Sequence, residues 1–256
     1  MSGYAVLVTG GGRGIGKGVA CALAERGFAV AVNALEHDAG VDETLALLQA
    51  RGVKAVATIG DISDLSRHED ILTQAESGVG ELTTLVNNAG VSVLRRGDLL
   101  EVTPQSYDHC QSVNARGTFF LTQAWAKRAL ARPAPIGLHR SIITISSSNA
   151  VAVSIARGEY CVSKSAASMI AKLFAVRLGA HDIGSYEIRP GLIETPMTAV
   201  VKDVYEQRIA EGLTVIPRMG QPRDIGDMCV ALATGQLAYC TGQALQADGG
   251  LVIPRF

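Results

Sequence analysis

The fold is indicated most strongly by residues 5–17, which read Ala5-Val6-Leu7-Val8-Thr9-Gly10-Gly11-Gly12-Arg13-Gly14-Ile15-Gly16-Lys17. The short apolar run predicts a buried strand, and the apolar spacing that continues through Leu23 and Ala24 predicts a helix from Lys17 onward. Glycines between a strand and a helix permit a tight turn and the close approach of a pyrophosphate, whose charge is favoured by the amides and dipole of the helix N-terminus. The stretch therefore predicts a strand, a phosphate-binding turn and a helix.

The same turn also matches the start of a phosphate loop for nucleoside triphosphates, because residues 11–17 read G-x-x-x-x-G-K. Gly18 follows where such a loop needs Ser or Thr to hold magnesium. The later strand Leu85-Val86-Asn87-Asn88 also offers no Asp to complete a magnesium site. We therefore expect the turn to bind a dinucleotide.

Short β-branched runs alternate with helix-length segments along the rest of the chain, which predicts parallel strands joined by helical crossovers, with helices on both faces of the sheet. The predicted strands are 5–9, 29–33, 55–59, 84–87, 141–146, 186–189 and 243–246. Residues 131–139 contain two prolines and are predicted to form a loop. The chain has no internal repeat and no linker, so we expect residues 1–256 to form one α/β domain around a sheet of about seven strands.

Charge and cysteine usage restrict the partners. Lys and Arg number 23 against 24 Asp and Glu, so no general field attracts nucleic acid or anionic lipid, and a small-molecule substrate is expected. The five cysteines are scattered and form no C-x-x-C, which argues against a disulfide framework and a zinc site. The five histidines are isolated, so no metal is expected.

The compartment follows from the start of the chain and from its hydropathy. The first residues lack a basic leader, and no apolar run approaches the roughly 18 residues that a membrane span needs. We therefore expect a cytoplasmic protein without a membrane partner.

Several further motifs stand in a fixed order: Thr9-Gly10-x-x-x-Gly14-x-Gly16, Asn87-Asn88-Ala89-Gly90, Asn114, Ser147, Tyr160-x-x-x-Lys164, Pro190-Gly191 and Gln246-Ala247-Asp248-Gly249-Gly250. In order and spacing they resemble the short-chain dehydrogenase/reductase family over essentially the whole chain. Within that family the chain most resembles 3-oxoacyl carrier-protein reductases and related polyol or sugar dehydrogenases. The resemblance implies a single doubly wound Rossmann-type domain and NAD(P)-dependent interconversion of a ketone and a secondary alcohol.

The resemblance implies four catalytic residues: Asn114, Ser147, Tyr160 and Lys164. The reaction needs one group that both gives and takes a proton. A free tyrosine is a poor base at neutral pH because its pKa is about 10, so a positive charge must stabilise its phenolate. Tyr160 and Lys164 are four residues apart and share a helical face, which places the ammonium to do so.

Ser147 and Asn114 take their roles from the same resemblance. Ser147 lies thirteen positions before Tyr160, at a strand end, where the family places the hydroxyl that holds the substrate oxygen. Ser146 and Ser148 remain alternatives. Asn114 matches the family asparagine that holds a water and so relays protons to the lysine.

The resemblance also implies a set of contacts to the dinucleotide. They are Gly10, Arg13, Gly14, Ile15 and Gly16 in the turn, Ala34 and Leu35 after the second strand, Asp61 and Ile62 at the adenine, Asn88, Ala89 and Gly90 at the adenosine ribose side, Tyr160, Lys164, and Pro190, Gly191, Ile193 and Thr195 at the nicotinamide. NAD users usually place Asp after the second strand, whereas NADP users place basic residues nearby. Arg13 could face a 2'-phosphate, whereas the nearby Glu36 would oppose one, and neither effect dominates. We lean to NADP.

The remaining expectations concern the lid, the assembly and the substrate. Residues 194–215 are expected to form a mobile lid, with Thr195-Pro196 as a helix start. The expected substrate walls are residues 91–96, residues 149–158, and Leu192 with Met197. Arg95 and Arg96 in the first wall could attract an anion. Two long helices, 104–130 and 159–179, are consistent with the helix-pair dimer interface of the family and its usual homotetramer.

Three functions stay open at this point. The first is a reductase of 3-oxoacyl thioesters, and the second is a dehydrogenase of a small polyol, sugar or hydroxy compound. The third, from another class, is a dinucleotide-binding regulator that has lost catalysis.

Overall fold

A seven-stranded parallel sheet lies between two layers of helices in the computed structural model, which describes residues 3–255. The strands are β1 (Ala5–Thr9), β2 (Ala29–Ala34), β3 (Ala55–Ile59), β4 (Thr84–Asn87), β5 (Arg140–Ile145), β6 (Ile183–Pro190) and β7 (Ala244–Ala247). Their order across the sheet is β3-β2-β1-β4-β5-β6-β7, and every neighbouring pair is parallel. The predicted Rossmann-type α/β fold is confirmed. The strand order reverses between β1 and β4, which is where open sheets of this kind bind ligands.

Helices cover both faces of the sheet. They are α1 (Gly14–Glu25), α2 (Ala39–Gln49), α3 (His68–Val79), α4 (Pro104–Gln111), α5 (Thr118–Leu130), α6 (Gly158–Leu178), α7 (Lys202–Ala210) and α8 (Pro222–Ala233). Side chains of a strand point alternately to the two faces. Val6 and Val8 accordingly pack with α1 and α8, whereas Ala5 and Leu7 pack with α3, α5 and α6. Because both faces are buried, the strands read as continuous apolar runs.

Gly18, the residue that argues against a magnesium-binding loop, has a packing role. A Cβ built on Gly18 would lie 2.4 Å from the Pro222 Cβ, because α1 and α8 cross closely at this point. Gly226 of α8 lies nearly as close to α1, with its built Cβ 2.7 Å from the Ala22 Cβ. Because neither glycine has a side chain, α1 and α8 can approach each other closely.

The predicted helix 104–130 is interrupted. A π-helical turn, Ser112–Gly117, separates α4 from α5. Gly117 lies against the loop that follows β3, since a Cβ there would come 2.5 Å from the Ile62 carbonyl oxygen. Single π turns inside helices occur frequently at functional sites, and this one contains Asn114.

Several predicted boundaries are wrong. The helix predicted from Lys17 begins at Gly14, and the strands predicted at 141–146 and 243–246 are each shifted by one residue. Strand β6 begins at Ile183 rather than at residue 186, because Ile183, Gly184 and Ser185 pair with β5. Thr195-Pro196 does not start a helix. The Thr198 hydroxyl donates to the Ile193 carbonyl and accepts from the Thr195 amide, at 2.7 and 3.0 Å, which closes a turn. Helix α7 follows only from Lys202, after a short 3-10 turn at Ala199–Val201.

Residues 131–139 form neither helix nor strand, as predicted. Within residues 3–255, no helix is both long and apolar enough to cross a bilayer.

Candidate active site

The glycine-rich turn is tied to the end of β4 by Thr9 and Asn88. The Thr9 hydroxyl oxygen accepts hydrogen bonds from the Asn88 and Ala89 amides at 2.9 and 3.0 Å. The Asn88 side-chain amide donates to the Thr9 and Gly10 carbonyls at 2.8 and 3.2 Å. The predicted contacts Gly10, Asn88 and Ala89 therefore meet at the point where the strand order reverses.

Backbone geometry explains the glycines of this turn. Gly10 and Gly14 have φ values of +63° and +53°, in the left-handed region that favours glycine. A Cβ on Gly16 would lie 2.1 Å from the Gly10 carbonyl oxygen and 2.5 Å from the Asn88 side-chain nitrogen. Only a residue without a Cβ can occupy position 16 while this turn keeps its shape.

The N-terminus of α1 is free to hold an anion. Arg13 is the N-cap, no side chain caps the helix, and its first turn carries no acidic residue. The first amides of a helix lack partners within the helix and, together with the helix dipole, attract phosphate. The turn therefore fits the pyrophosphate of a dinucleotide.

Ala34 and Leu35, the predicted dinucleotide contacts after β2, carry no acidic group that could bind a ribose. Ala34 ends the strand, and Leu35 is 63% exposed. The first aspartate, Asp38, accepts a hydrogen bond of 3.0 Å from the Val41 amide and so caps α2. Arg13 and Glu36 are both exposed.

Asp61 and Ile62, predicted at the adenine, follow the end of β3. The Asp61 carboxylate accepts from the Ser63 amide at 2.7 Å. The Ile62 carbonyl accepts from the His68 ring at 2.7 Å, which fixes the buried Ile62 at the edge of the crevice.

Tyr160 and Lys164 lie on the first turns of α6, on one face of that helix. Lys164 is 6% exposed, and its Nζ donates to the Ile145 carbonyl at 3.1 Å. The same Nζ lies 5.7 Å from the centroid of the Tyr160 ring. The structure thus brings together the ammonium, the phenol and the end of β5.

Gly90 brings a second loop to the lysine. A Cβ on Gly90 would lie 3.3 Å from Lys164 Nζ and 3.1 Å from Asn114 Oδ1. The Asn114 side chain, 1% exposed, accepts from the Val91 amide at 2.8 Å and donates to the Val91 carbonyl and the Ser163 hydroxyl, both at 2.9 Å. Both side-chain N–H donors of Asn114 are therefore used by the protein, so a water would have to be held at one of its oxygens.

Sequence reasoning missed Ser163. It lies next to Lys164 in α6, and its hydroxyl also donates to the Tyr160 carbonyl at 2.8 Å. The only available signal was its position between the two motif residues.

Two of the three serines after β5, Ser146 and Ser147, have different hydrogen-bond partners. The Ser146 hydroxyl donates to the Glu187 carboxylate and is buried behind the sheet end. The Ser147 oxygen accepts from the Asn149 amide at 3.1 Å and caps the 3-10 turn Ser148–Ala150. Ser146 is thus engaged away from the crevice, whereas Ser147 keeps its O–H available at the strand end.

A buried ion pair that the sequence analysis did not find lies behind these serines. Glu187, 1% exposed, accepts from Arg189 Nε at 2.7 Å and from the Ser168 hydroxyl at 2.7 Å. Arg189 also donates to the Ser168 hydroxyl at 2.9 Å. Their spacing of two residues on β6, which puts them on one face of the sheet, was the available signal.

The residues predicted at the nicotinamide follow β6. A Cβ on Gly191 would lie 2.7 Å from the Asp248 Cα, so the chain passes the C-terminal turn closely here. Thr195 lies opposite the glycine turn, with its Cβ 3.5 Å from a Cβ built on Gly14. At the start of the predicted lid, residues 194–215, hydrogen bonds from Lys202 and Gln221 hold the pKa of Glu194 below its usual range.

Gly97, which directly follows the predicted substrate wall 91–96, donates its amide hydrogen to the Ala156 carbonyl of the wall 149–158 at 3.3 Å. Cys110 of α4 is not a candidate nucleophile. Burial, with the Glu159 carboxylate adding to it, raises the pKa of the Cys110 thiol to about 11, so the thiol stays protonated at neutral pH. Across the described residues, no group of three or more His, Cys, Asp or Glu is placed to hold a metal ion.

Comparisons with known proteins agree with this arrangement. The family model described as enoyl-(acyl carrier protein) reductase matches residues 10–252. The chain is 30% identical to L-rhamnose 1-dehydrogenase (NAD(P)(+)) of Sphingomonas sp. (strain SKA58), over 99% of this chain and 98% of that protein. It is 30% identical to the 3-oxoacyl-[acyl-carrier-protein] reductase FabG of Staphylococcus aureus (strain Mu50 / ATCC 700699), over 96% of both. It is 39% identical to a solved 3-oxoacyl-[acyl-carrier protein] reductase from Brucella melitensis in complex with NAD, with a TM-score of 0.95 over 99% of this chain and 98% of that one.

Proposed function

The chain belongs to the short-chain dehydrogenase/reductase family and is an NAD(P)-dependent oxidoreductase, and from this premise we propose that Tyr160, Lys164, Ser147 and Asn114 interconvert a ketone and a secondary alcohol. The observation that carries the proposal is the position of the buried Lys164 ammonium, beside the Tyr160 ring and bonded to the end of β5. Chemistry of this kind needs a phenol whose ionised form is stabilised by a fixed cation.

Each side chain has a separate task in the proposed reaction. The dinucleotide, when bound, supplies or accepts the hydride. Tyr160 gives its proton to the carbonyl oxygen in reduction and takes the alcohol proton in oxidation. Lys164 stabilises the phenolate, and the Ser147 hydroxyl donates a hydrogen bond to the substrate oxygen. Asn114 holds the loop at Val91 against Lys164 and offers an oxygen to a water that exchanges protons with the ammonium.

The proposed dinucleotide site runs along the carboxyl ends of the strands. The pyrophosphate would lie against the amides of the turn and of α1, at Gly10, Arg13, Gly14, Ile15 and Gly16. The adenosine would lie among Ala34, Leu35, Asp61, Ile62, Asn88, Ala89 and Gly90. The nicotinamide would lie beside Tyr160, Lys164, Pro190, Gly191, Ile193 and Thr195. Residues 194–215 would close over it, as a lid that begins at the ion-paired Glu194.

We expect NADP to be preferred over NAD. The first aspartate after β2 caps α2 instead of reaching a ribose, and Arg13 is an exposed cation in the turn. Initial rates with the two cofactors at equal concentration measure the preference, and we expect a higher kcat/KM with NADP. Faster turnover with NAD would contradict this assignment.

For the substrate, a 3-oxoacyl thioester and a small polyol, sugar or hydroxy compound remain the two candidates. The first is supported by likeness to the reductases from S. aureus and B. melitensis. The second is supported by likeness to L-rhamnose 1-dehydrogenase.

A substrate screen that follows nicotinamide absorbance tests the proposed function. We expect turnover either of acetoacetyl thioesters in reduction or of polyols and sugars in oxidation. Inactivity on every thioester would remove the first candidate. The absence of turnover with any alcohol or ketone would contradict the proposal and favour a regulator that only binds the dinucleotide.

We also propose assembly through α5 and α6 as a homodimer or homotetramer, in the cytoplasm. Four apolar side chains of α6 are 48–88% exposed, namely Val162, Met169, Leu173 and Val176. An exposed apolar row on a long helix is typical of an interface between subunits. The cytoplasmic location is supported by the five free cysteines, since disulfides are rare in that compartment.

A further inference from the structure

One guanidinium lies directly against the proposed proton donor and is not used by the mechanism. Arg157, in the loop that leads into α6, places its Cζ 5.3 Å from the centroid of the Tyr160 ring. Its Nε is buried and has no hydrogen-bond partner. A guanidinium carries five donors, and leaving a buried one unpaired is costly unless something else satisfies it.

The carboxylates near Arg157 are engaged with other groups. Glu159, two residues along, is buried and accepts from the Ser106 hydroxyl at 2.6 Å. On the adjoining loop, Asp98 accepts from the Leu100 amide at 2.9 Å, and Glu101 pairs with Arg95 at 3.2 Å. Arg157 forms no ion pair with any carboxylate of the described chain. An unpaired cation therefore remains beside the Tyr160 ring.

Backbone hydrogen bonds hold the loop that carries Arg157 in place. The Gly97 amide donates to the Ala156 carbonyl at 3.3 Å, and the Arg157 amide donates to the Ser154 carbonyl at 3.1 Å. The first bond joins the two sides of the crevice immediately before the arginine, and the second closes the turn that carries it. The planar, weakly hydrated guanidinium is well suited to holding a carboxylate through two parallel hydrogen bonds.

We propose that Arg157 binds a carboxylate of the substrate, which favours the second candidate, a small hydroxy compound, in the form of a hydroxy acid or the corresponding oxo acid whose charged group lies a few bonds from the reacting carbon. The inference rests on the proposed function, because it assumes that Tyr160 faces the reacting carbon. The anion would bind the two terminal Nη nitrogens of Arg157, which are not among its buried atoms, and this contact would orient the carbonyl toward the phenol. A neutral polyol or ester of the same size lacks this contact.

Two matched pairs of probes test the proposal, each containing an acid and a neutral analogue: gluconate with glucitol, and acetoacetate with methyl acetoacetate. Titration calorimetry on the protein with bound cofactor measures the Kd of each probe. The alcohols gluconate and glucitol are tested with the reduced cofactor, and the ketones acetoacetate and methyl acetoacetate with the oxidised cofactor, so that no probe can react. We expect each acid to bind at least about tenfold more tightly than its neutral analogue, the factor that 1.4 kcal/mol gives. In Arg157→Gln that ratio should fall to below about threefold.

Arg26→Gln is the control, since it removes an equal charge from an exposed arginine at the C-terminal end of α1, the end away from the glycine-rich turn. It should keep the ratio of the parent chain. Equal binding of acid and neutral probe by the parent chain, or failure to bind either acid, would overturn the proposal. So would an Arg157→Gln variant that weakens both members of a pair equally, because that is the result expected if the arginine only packs on the ring. Calorimetry reads binding alone, so absent turnover would count against the proposed function and not against this site.

Discussion

Replacing Tyr160 by Phe should lower kcat by about 10² to 10⁴-fold, the usual contribution of a positioned proton donor. The ring keeps its packing against Arg157 and Lys164, so only the hydroxyl is lost. Binding of the dinucleotide should therefore change little. The two quantities are measured separately, kcat by nicotinamide absorbance and Kd by fluorescence titration.

Tyr239→Phe is the matched control, because that side chain is fully exposed. It removes the same hydroxyl from the surface and should leave kcat unchanged. Near-normal turnover in Tyr160→Phe would show that another group moves the proton.

Replacing Gly16 by Ala should abolish tight binding of the dinucleotide and destabilise the fold. The added Cβ would meet the Gly10 carbonyl oxygen at 2.1 Å, so the turn has to open and the end of β4 at Asn88 must shift with it. Overpacking of this kind costs about 1–3 kcal/mol or more. Thermal unfolding and titration with NADP report the two effects.

Gly179→Ala provides the comparison. Nothing lies within 4 Å of a Cβ built there, and its φ of −56° suits alanine. Removing the conformational freedom of that glycine should leave Tm equal or slightly higher. If Gly16→Ala kept both the Tm and the Kd of the parent chain, the turn would not have the tight geometry described above.

Most of the fold could be predicted because short stretches of sequence indicate its strands, helices and turns. The valine-rich strands and the glycine turn have patterns that only a few conformations satisfy. The start of β6 was missed because Gly184 and Ser185 are weak strand formers, and their pairing with β5 depends on burial from distant segments. Propensity yields to tertiary contacts in such places.

The site was less accessible to prediction than the fold, because its geometry depends on contacts across the chain. The motifs gave Tyr160, Lys164, Ser147 and Asn114 as residues that belong together. Nothing local indicated that Ser146 faces Glu187, 41 residues away, or that the Asn114 amide is occupied by Val91 and Ser163. Likewise, Arg157 is an ordinary loop arginine until the loop is folded onto the Tyr160 ring.

The stabilised phenol at Tyr160 is tested most directly by a crystal structure with the dinucleotide and an unreactive alcohol bound. The measurement is the position of the Tyr160 hydroxyl relative to the alcohol oxygen, and of Lys164 Nζ relative to that phenol. We expect the hydroxyl within hydrogen-bond distance of the alcohol oxygen, with the ammonium beside it. A hydroxyl turned away from the alcohol, or an ammonium distant from the phenol, would contradict the proposed reaction.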